Sequence, residues 1–160
     1  GVKIQQYWSL EQVVYNTASD RRQHVNLTDT LNGLEDLLSD AVSRRMVSDV
    51  PLGAFLSGGI DSSLVAALMQ SNSDTPIKTF SIGFHEHDYD EAVYAKKVAT
   101  HLGTNHTELY VTPEDALNVV PSLAYMYDEP FSDSSQIPTF LISKLTREHV
   151  TAARTERVWR

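Results

Sequence analysis

Residues 50–63 read Val-Pro-Leu-Gly-Ala-Phe-Leu-Ser-Gly-Gly-Ile-Asp-Ser-Ser, and this stretch decides the fold class. The apolar run 50–56 has the length of a buried strand, whereas residues 62–70 are rich in Leu, Val, Ala and Met and favour a helix. Ser57-Gly58-Gly59 separates the two runs. The stretch therefore predicts a strand, a glycine turn and a helix in succession.

The same alternation continues on either side of this stretch. Leu31, Leu34, Leu38 and Val42 recur at spacings of three and four, which predicts an amphipathic helix from Thr28. The further predicted elements are strands at 77–84 and 106–111, and helices from Asp90-Glu91 to Gly103, from Thr112 to about Tyr127, and from 137 or 138 to 149. Strands that alternate with such helices predict crossover connections, an α/β fold and a parallel sheet.

The composition excludes several classes of protein. The 160 residues carry a formal charge of -8, which argues against a chain that neutralises a nucleic-acid backbone or an anionic membrane surface. There is no cysteine, so a thiolate zinc site and a cysteine nucleophile are both excluded. The longest apolar run, 64–69, is far shorter than a membrane-spanning helix, and the first residues lack the apolar stretch of a signal peptide. We expect a soluble, cytoplasmic chain with neither nucleic acid nor membrane as partner.

Residues 57–63 have the composition of an anion site. Ligands of parallel sheets gather at the carboxyl ends of the strands, where this turn is predicted to lie. Two glycines let the backbone approach a ligand closely, the helix start adds partial positive charge, and Ser57, Ser62 and Ser63 offer hydroxyl groups. Asp61 would repel a phosphate chain unless a cation lay between them, which makes it the candidate Mg²⁺ ligand. The alternative is that Asp61 or Ser62 caps the helix and the glycines only turn the chain.

Other sites fit the sequence poorly. A Walker loop needs a lysine after its last glycine, and a dinucleotide fingerprint needs a third glycine that position 62 or 63 does not supply. Residues 84–91 mix histidines with acids, but neighbours in a loop rarely converge on one metal ion, and Asp90 is expected to cap a helix instead. His101 and His106 flank a glycine turn and are expected to be polar surface.

Residues 57–63 resemble the PP-loop of the N-type ATP pyrophosphatases, which cleave ATP between its α and β phosphates. The flanking motifs narrow the resemblance to the synthetase half of glutamine-hydrolysing asparagine synthetases. These motifs occur in the order Arg45-Met46-Val47-Ser48-Asp49-Val50-Pro51-Leu52-Gly53, Phe80-Ser81-Ile82-Gly83-Phe84, Tyr89-Asp90-Glu91, His101-Leu102-Gly103-Thr104 and Asp128-Glu129-Pro130-Phe131. Several motifs in one order are far more specific than the loop alone.

The resemblance implies a fold, a reaction and a set of residues. The fold is the three-layer parallel sheet of the adenine-nucleotide α-hydrolases, a Rossmann-like α/β architecture, truncated in this chain. The reaction is the ATP- and Mg²⁺-dependent conversion of aspartate to β-aspartyl-AMP and pyrophosphate, after which ammonia from glutamine displaces AMP and gives asparagine. The residues implied to hold the pyrophosphate part of ATP are Ser57, Gly58, Gly59, Asp61 and Ser62, with Asp61 also on magnesium, while Phe55 and Ile82 lie by the nucleotide.

The loop 128–136 contains weaker candidates for substrate contact. In the family this region lies by the amino-acid substrate, so the resemblance implies that Ser134, Ser135 and Gln136 contact aspartate. The alternative is a helix lead-in capped by Ser or Asp.

The resemblance also divides the chain. Residues 1–27, in which Tyr7-Trp8-Ser9-Leu10 is the only strong apolar feature, are expected to link to a glutaminase domain that is absent from this sequence; residues 28–151 form part of the synthetase domain. Residues 152–160 depart from the family and, with four charges in nine residues, are expected to make a poor strand. We therefore expect weak or no activity from this chain alone, and a homodimer for the intact parent.

Two alternatives remain open. One is a non-catalytic truncated remnant. The other is a related PP-loop enzyme that adenylates a different carboxylate, such as a β-lactam-forming synthetase.

Overall fold

A computed structural model describes residues 1–19, 26–84, 91–129 and 132–154, in two units, Gly1–Leu37 and Leu38–Arg160. The first unit contains helix α1 (Leu10–Ser19) and the start of helix α2 (Leu27–Met46). Helix α1 lies in the segment expected to be an aperiodic linker, and its first turn is closed by the Val13 amide on the Ser9 carbonyl at 3.1 Å. Helix α2 confirms the predicted helix, but of its four periodic apolar residues Val42 is buried and Leu38 half-buried, whereas Leu31 and Leu34 are exposed.

The second unit is built on a parallel sheet with the strand order β3-β2-β1-β4. Its strands are β1 (Leu52–Phe55), β2 (Lys78–Phe84), β3 (Asn105–Val111) and β4 (Ala152–Arg154). Its helices besides α2 are α3 (Ile60–Ser71), α4 (Ala92–Leu102), α5 (Pro113–Met126) and α6 (Gln136–Arg147). All three strand pairings are parallel, which confirms the predicted α/β class.

Apolar side chains cover both faces of this sheet. On one face, Ala54 packs with Val42 of α2 and Met69 of α3, and Leu56 packs with alanines of α3 and α4. On the other face, Phe80 packs with Ile142 of α6 and with Val150. Because neighbouring residues of a strand point to opposite faces, the continuous apolar run of β1 supplies both layers of helices.

The predicted helix boundaries follow from local chemistry. Gly103 ends α4 with a φ of 72°, the left-handed conformation that favours glycine. Thr112 caps α5 reciprocally with Asp115, because the Asp115 amide donates to the Thr112 hydroxyl and the Thr112 amide donates to the Asp115 carboxylate. Pro113 occupies the first position of α5, where its missing N–H costs nothing.

Strand β4 corrects one expectation. Residues 152–154 were expected to make a poor strand, yet they pair with Leu52–Ala54 of β1, and the Thr151 amide reaches the Pro51 carbonyl at 3.2 Å. Only one of these three residues is charged, while the other charged residues of 152–160 lie outside the described residues. None of the helices in the described ranges is long and apolar enough to cross a membrane.

Candidate functional site

The glycine turn lies at the carboxyl end of β1, as predicted. The Leu56 amide still donates to the Phe80 carbonyl of β2 at 2.8 Å, so the ladder continues up to the turn. The chain then passes through Ser57 and Gly58 and enters α3, with Gly59 as the N-cap residue in an extended conformation. The turn is therefore anchored on both sides by regular structure.

Gly58 fits its place because it has no side chain. Its φ is +79°, and a Cβ atom added there would lie 2.7 Å from the Ala95 amide nitrogen and 2.7 Å from Tyr94 Cβ. The turn thus rests directly on the first turn of α4. A residue with a side chain would meet both backbone strain and backbone atoms at this position.

A network of hydroxyl bonds fixes the shape of the turn. The Ser57 and Ser62 hydroxyls are 2.8 Å apart, and the Ser57 amide donates to Ser62 Oγ at 3.2 Å. Ser62 Oγ also donates to the Gly59 carbonyl at 3.3 Å, while the Gly59 amide donates to Ser57 Oγ at 3.3 Å. These bonds hold the turn in one conformation.

The first turn of α3 presents donors that nothing in the described chain uses. The amides of Ile60, Asp61 and Ser62 precede the first intrahelical bond of α3, which the Ser63 amide makes to the Gly59 carbonyl at 3.1 Å, and no side chain caps the helix. The alternative in which Asp61 or Ser62 caps α3 is therefore wrong. Ser63 Oγ is buried without a hydrogen-bond partner among the described residues. Unused amides at a helix N-terminus form an electropositive place for an anion.

Asp61 lies in this first turn with an exposed side chain. No ion pair involves it in the described part of the chain, where the recorded pairs are Arg44 with Asp40 and Lys96 with Glu108. A free carboxylate beside an anion-accepting turn suits Mg²⁺, which takes one or two carboxylates together with phosphate oxygens. The described residues contain no group of three or more metal-ligating side chains, and the mixed segment at 85–90, including Asp90, lies outside them.

Phe55 and Ile82, expected beside the nucleotide, share one face of the sheet. Both are half-buried and pack against the cluster of Phe80, Ile142 and Val150 below α6. Phe55 also lines a cavity of about 730 Å³ between α6 and β4, into which Lys144 and Arg147 bring positive charge. The structure thus brings these two residues together on one face of the sheet, and Phe55, the last residue of β1, precedes Ser57 of the glycine turn by two residues.

The weaker substrate candidates lie around the start of α6. Ser134 is exposed, and Ser135 donates its amide to the Asp133 carboxylate at 2.8 Å. Gln136, the first residue of α6, lines a cavity of about 440 Å³ with Tyr127, Asp128 and Glu129. Ser135 is the N-cap residue of α6, but its side chain accepts no capping hydrogen bond from the first amides of this helix.

His106 is a residue that the sequence analysis misplaced. It was expected at the surface, but it is a half-buried residue of β3, next to β2. Its Nδ1 lies 2.9 Å from Thr79 Oγ1 and its Nε2 lies 3.2 Å from Ser81 Oγ, and both of these hydroxyl residues are buried. Burial lowers the pKa of His106. The alternating polar residues of two adjacent parallel strands were the signal that could have located this cluster.

Beside His106, Lys96 of α4 forms an ion pair with Glu108 at 2.9 Å. Burial raises the pKa of the Glu108 carboxyl, but hydrogen bonds from Lys96 and Tyr110 outweigh burial and leave this pKa below its usual value. The same hydrogen bond raises the pKa of Lys96. The positive charge of Lys96 is therefore already matched.

These features together define an α/β protein in which a strand of the parallel sheet leads into a glycine turn, followed by a helix with unused amide donors. The chain belongs to the asparagine synthase family, whose sequence model matches residues 33–154. A relative from Methanocaldococcus jannaschii, whose name assigns it to the glutamine-hydrolysing asparagine synthetases, is 47% identical over 116 residues, which are 72% of this chain and 22% of that protein. Asparagine synthetase 1 of Bacillus subtilis is 37% identical over 120 residues, 75% of this chain and 19% of that protein.

The chain spans about a fifth of the length of these curated relatives. Among solved structures, it is similar to an NH3-dependent NAD synthetase from Campylobacter jejuni, with 13% identity and a TM-score of 0.49 over 73% of this chain and 52% of that one. The family assignment rests on the sequence matches.

Proposed function

We propose that this chain is the ATP-binding part of an asparagine synthetase, with the glycine turn as the site of the pyrophosphate group. The observation that supports this proposal is the set of unused amides at Ile60, Asp61 and Ser62, next to a turn whose conformation is fixed by the Ser57–Ser62 hydrogen bond. Donors that are fixed before the ligand arrives stabilise the negative charge that gathers on phosphate oxygens when the α–β bond breaks.

The proposed reaction is the adenylation of a carboxylate. The side-chain carboxylate of aspartate attacks the α-phosphate of ATP, giving β-aspartyl-AMP and pyrophosphate, and ammonia then displaces AMP to give asparagine. Asp61 would hold Mg²⁺, which supplies the positive charge that lets a carboxylate and a polyphosphate share one site. Ser57, Gly58, Gly59 and Ser62 hold the pyrophosphate group in this proposal.

Phe55 and Ile82 are proposed to border the nucleotide, and Ser134, Ser135 and Gln136 to contact aspartate. The ammonia comes from glutamine through a glutaminase domain that precedes residues 28–151 in the proposed parent, a cytoplasmic homodimer. The glutaminase domain and the rest of the synthetase domain lie outside this sequence in the proposal, because the chain corresponds to about a fifth of the length of its relatives.

Calorimetry with Mg²⁺ and α,β-methylene-ATP, which cannot be cleaved at the proposed bond, tests the nucleotide site. Asp61→Ala is expected to weaken binding by about tenfold or more, since a charged hydrogen bond contributes on the order of 1.5–3 kcal/mol. Asp74→Ala removes the same charge from an exposed loop beyond α3 and serves as the control. Unchanged affinity in Asp61→Ala would remove Asp61 from the metal site.

Substrate dependence of pyrophosphate release separates the alternatives. Release that depends on aspartate supports the asparagine synthetase, whereas release that depends on another carboxylate supports a related adenylating enzyme. A cooperatively folded chain that binds no Mg-ATP would identify a non-catalytic remnant.

A further inference from the structure

The glycine turn has no cation of its own. Residues 57–63 contain neither Lys nor Arg, and the charged residue among them is Asp61. The backbone of α4 under the turn is fixed by the Glu91 carbonyl, which accepts the amides of Tyr94 and Ala95, the two residues on which Gly58 rests. A bound polyphosphate would therefore meet the carboxylate of Asp61, and Mg²⁺ held there would offset only part of the combined negative charge.

A cationic side chain, Lys97, lies on α4, the helix that supports the turn. Tyr94 Cβ is the side-chain atom against which Gly58 packs, and the Tyr94 ring extends into solvent with 63% of the residue exposed. The Lys97 ammonium lies 5.4 Å from the centre of that ring. Such a contact is weak at an exposed site, so the ammonium stays by the ring of the residue on which Gly58 rests but exchanges readily for a stronger partner.

Lys97 differs from its neighbour Lys96 because Lys96 forms an ion pair with an acidic side chain. Lys96 is matched by Glu108 at 2.9 Å, whereas no ion pair to Lys97 occurs within the ranges that the structure describes. The two lysines are adjacent in sequence, and about 100° of helix rotation turns one towards β3 and leaves the other over Tyr94. Of the two lysines, Lys97 is the one whose positive charge remains available to a ligand.

We propose that Lys97, held beside the glycine turn by the Tyr94 ring, is a second phosphate-binding cation that moves from the ring to the β and γ phosphates when Mg-ATP binds. This inference rests on the proposed function of the turn. Lys97 acts as a binding residue in this proposal, and Tyr94 is a positioning residue that keeps the ammonium within reach. The chemical class recognised is a magnesium polyphosphate, so Mg-pyrophosphate serves as a probe in addition to the nucleotide.

Calorimetry on the full chain tests the proposal with three probes: Mg²⁺ with α,β-methylene-ATP, Mg-pyrophosphate, and adenosine. Lys97→Ala is expected to lower the affinity for α,β-methylene-ATP and for Mg-pyrophosphate by about fivefold at low salt, as for an exposed ion pair. The loss should be smaller at higher salt, and the affinity for adenosine should be unchanged. Lys96→Ala, which removes the same charge one residue away, is expected to stay within about twofold of the wild type. Lys97→Arg should restore most of the affinity.

Tyr94 variants test the positioning role. Tyr94→Ala keeps the Cβ atom that touches Gly58 but removes the ring, so it is expected to weaken polyphosphate binding as Lys97→Ala does, and the double variant should be no weaker than either single one. Tyr94→Phe keeps the ring and is expected to bind normally. A Tyr94→Ala variant with wild-type affinity would overturn the positioning role.

The outcomes separate this inference from the proposed function. If the wild-type chain binds both polyphosphates and Lys97→Ala binds them as Lys96→Ala does, Lys97 has no role and the proposed nucleotide site stands. If the wild-type chain binds neither polyphosphate, the inference and the proposed function both fail. Circular dichroism and urea unfolding of each variant establish that the compared chains are folded.

Discussion

The hydroxyl groups of Ser57 and Ser62 lie 2.8 Å apart, and this bond joins the end of the strand to the first turn of the helix. Ser62 Oγ donates to the Gly59 carbonyl, so Ser57 is the donor in the bond between the two hydroxyls. Ser62 is buried, whereas Ser57 is exposed and belongs to the turn that is proposed to hold phosphate. The turn therefore holds its shape without a ligand, which lowers the entropic cost of binding.

Ser62→Ala is expected to lower the free energy of unfolding by about 1–2 kcal/mol, because the Ser57 amide and hydroxyl lose a partly buried acceptor. Ser63→Ala is the matched control. Its hydroxyl is buried without a partner in the described chain, so its removal should be neutral or slightly stabilising. Urea unfolding measures both variants, and equal losses of stability would contradict the proposed role of the Ser57–Ser62 bond.

Gly58→Ala is expected to destabilise the chain by about 2 kcal/mol or more, since alanine is strained at a φ of +79° and its Cβ would meet the backbone of α4. Gly59→Ala should cost much less. Its φ is -72°, and the nearest contact of an added Cβ is Ser57 Oγ at 3.4 Å. Thermal unfolding of the two variants checks this difference, and a tolerant Gly58→Ala would mean that the turn does not rest on α4.

Gly53→Ala is expected to destabilise the sheet by about 1–3 kcal/mol through overpacking. An added Cβ would lie 2.6 Å from Phe80 Cε2, and the Phe80 side chain is buried and has no room to move away. Gly33→Ala, in the middle of α2, meets nothing within 4 Å and should instead stabilise by about 0.5–1 kcal/mol through the lower entropy of the unfolded chain. Urea unfolding measures the change in the free energy of unfolding for both variants. Changes of opposite sign would confirm the contrast, and no change in Gly53→Ala would contradict it.

Folding stability is expected to fall as the pH drops below about 6.5, the ordinary pKa of a histidine in the unfolded chain. Burial lowers the pKa of His106 in the folded state, so the unfolded chain binds this proton at a higher pH than the folded one. The contribution of His106 is thus fully present above the unfolded pKa and is lost as the pH falls towards the folded pKa.

Urea unfolding between about pH 7.5 and pH 5.5, a window around the ordinary histidine pKa, measures this loss, and an NMR titration of His106 gives its folded pKa directly. His106→Gln should remove the loss, since the amide can still bond the Thr79 and Ser81 hydroxyls, whereas His101→Gln at the surface should keep it. At lower pH, protonation of Glu108, whose folded pKa also lies below its usual value, should reduce stability further. A folded pKa of His106 above about 6.5, the ordinary value, would contradict the predicted direction.

Much of the fold could be predicted because its signals are local. The spacing of apolar residues identified α2, and the Thr112-Pro113 pair and Gly103 marked the ends of neighbouring helices, since caps depend on residues three or four positions apart. Helix α1 was missed although Leu10, Val13 and Val14 have the spacing of three and four residues that is typical of an amphipathic helix. Strand β4 was missed because the charges of 152–160 were averaged over residues that do not belong to it.

The sequence by itself determined the order of strands and helices from α2 to α6 and the position of the glycine turn between β1 and α3, because periodicity and turn chemistry act over a few residues. Only the tertiary structure decided that Gly58 rests on Tyr94, that Gly53 leaves room for Phe80, and that His106 lies between two buried hydroxyls. The partners in these contacts are separated by 25 or more residues. Their meeting depends on strand register and helix packing, which no local pattern encodes.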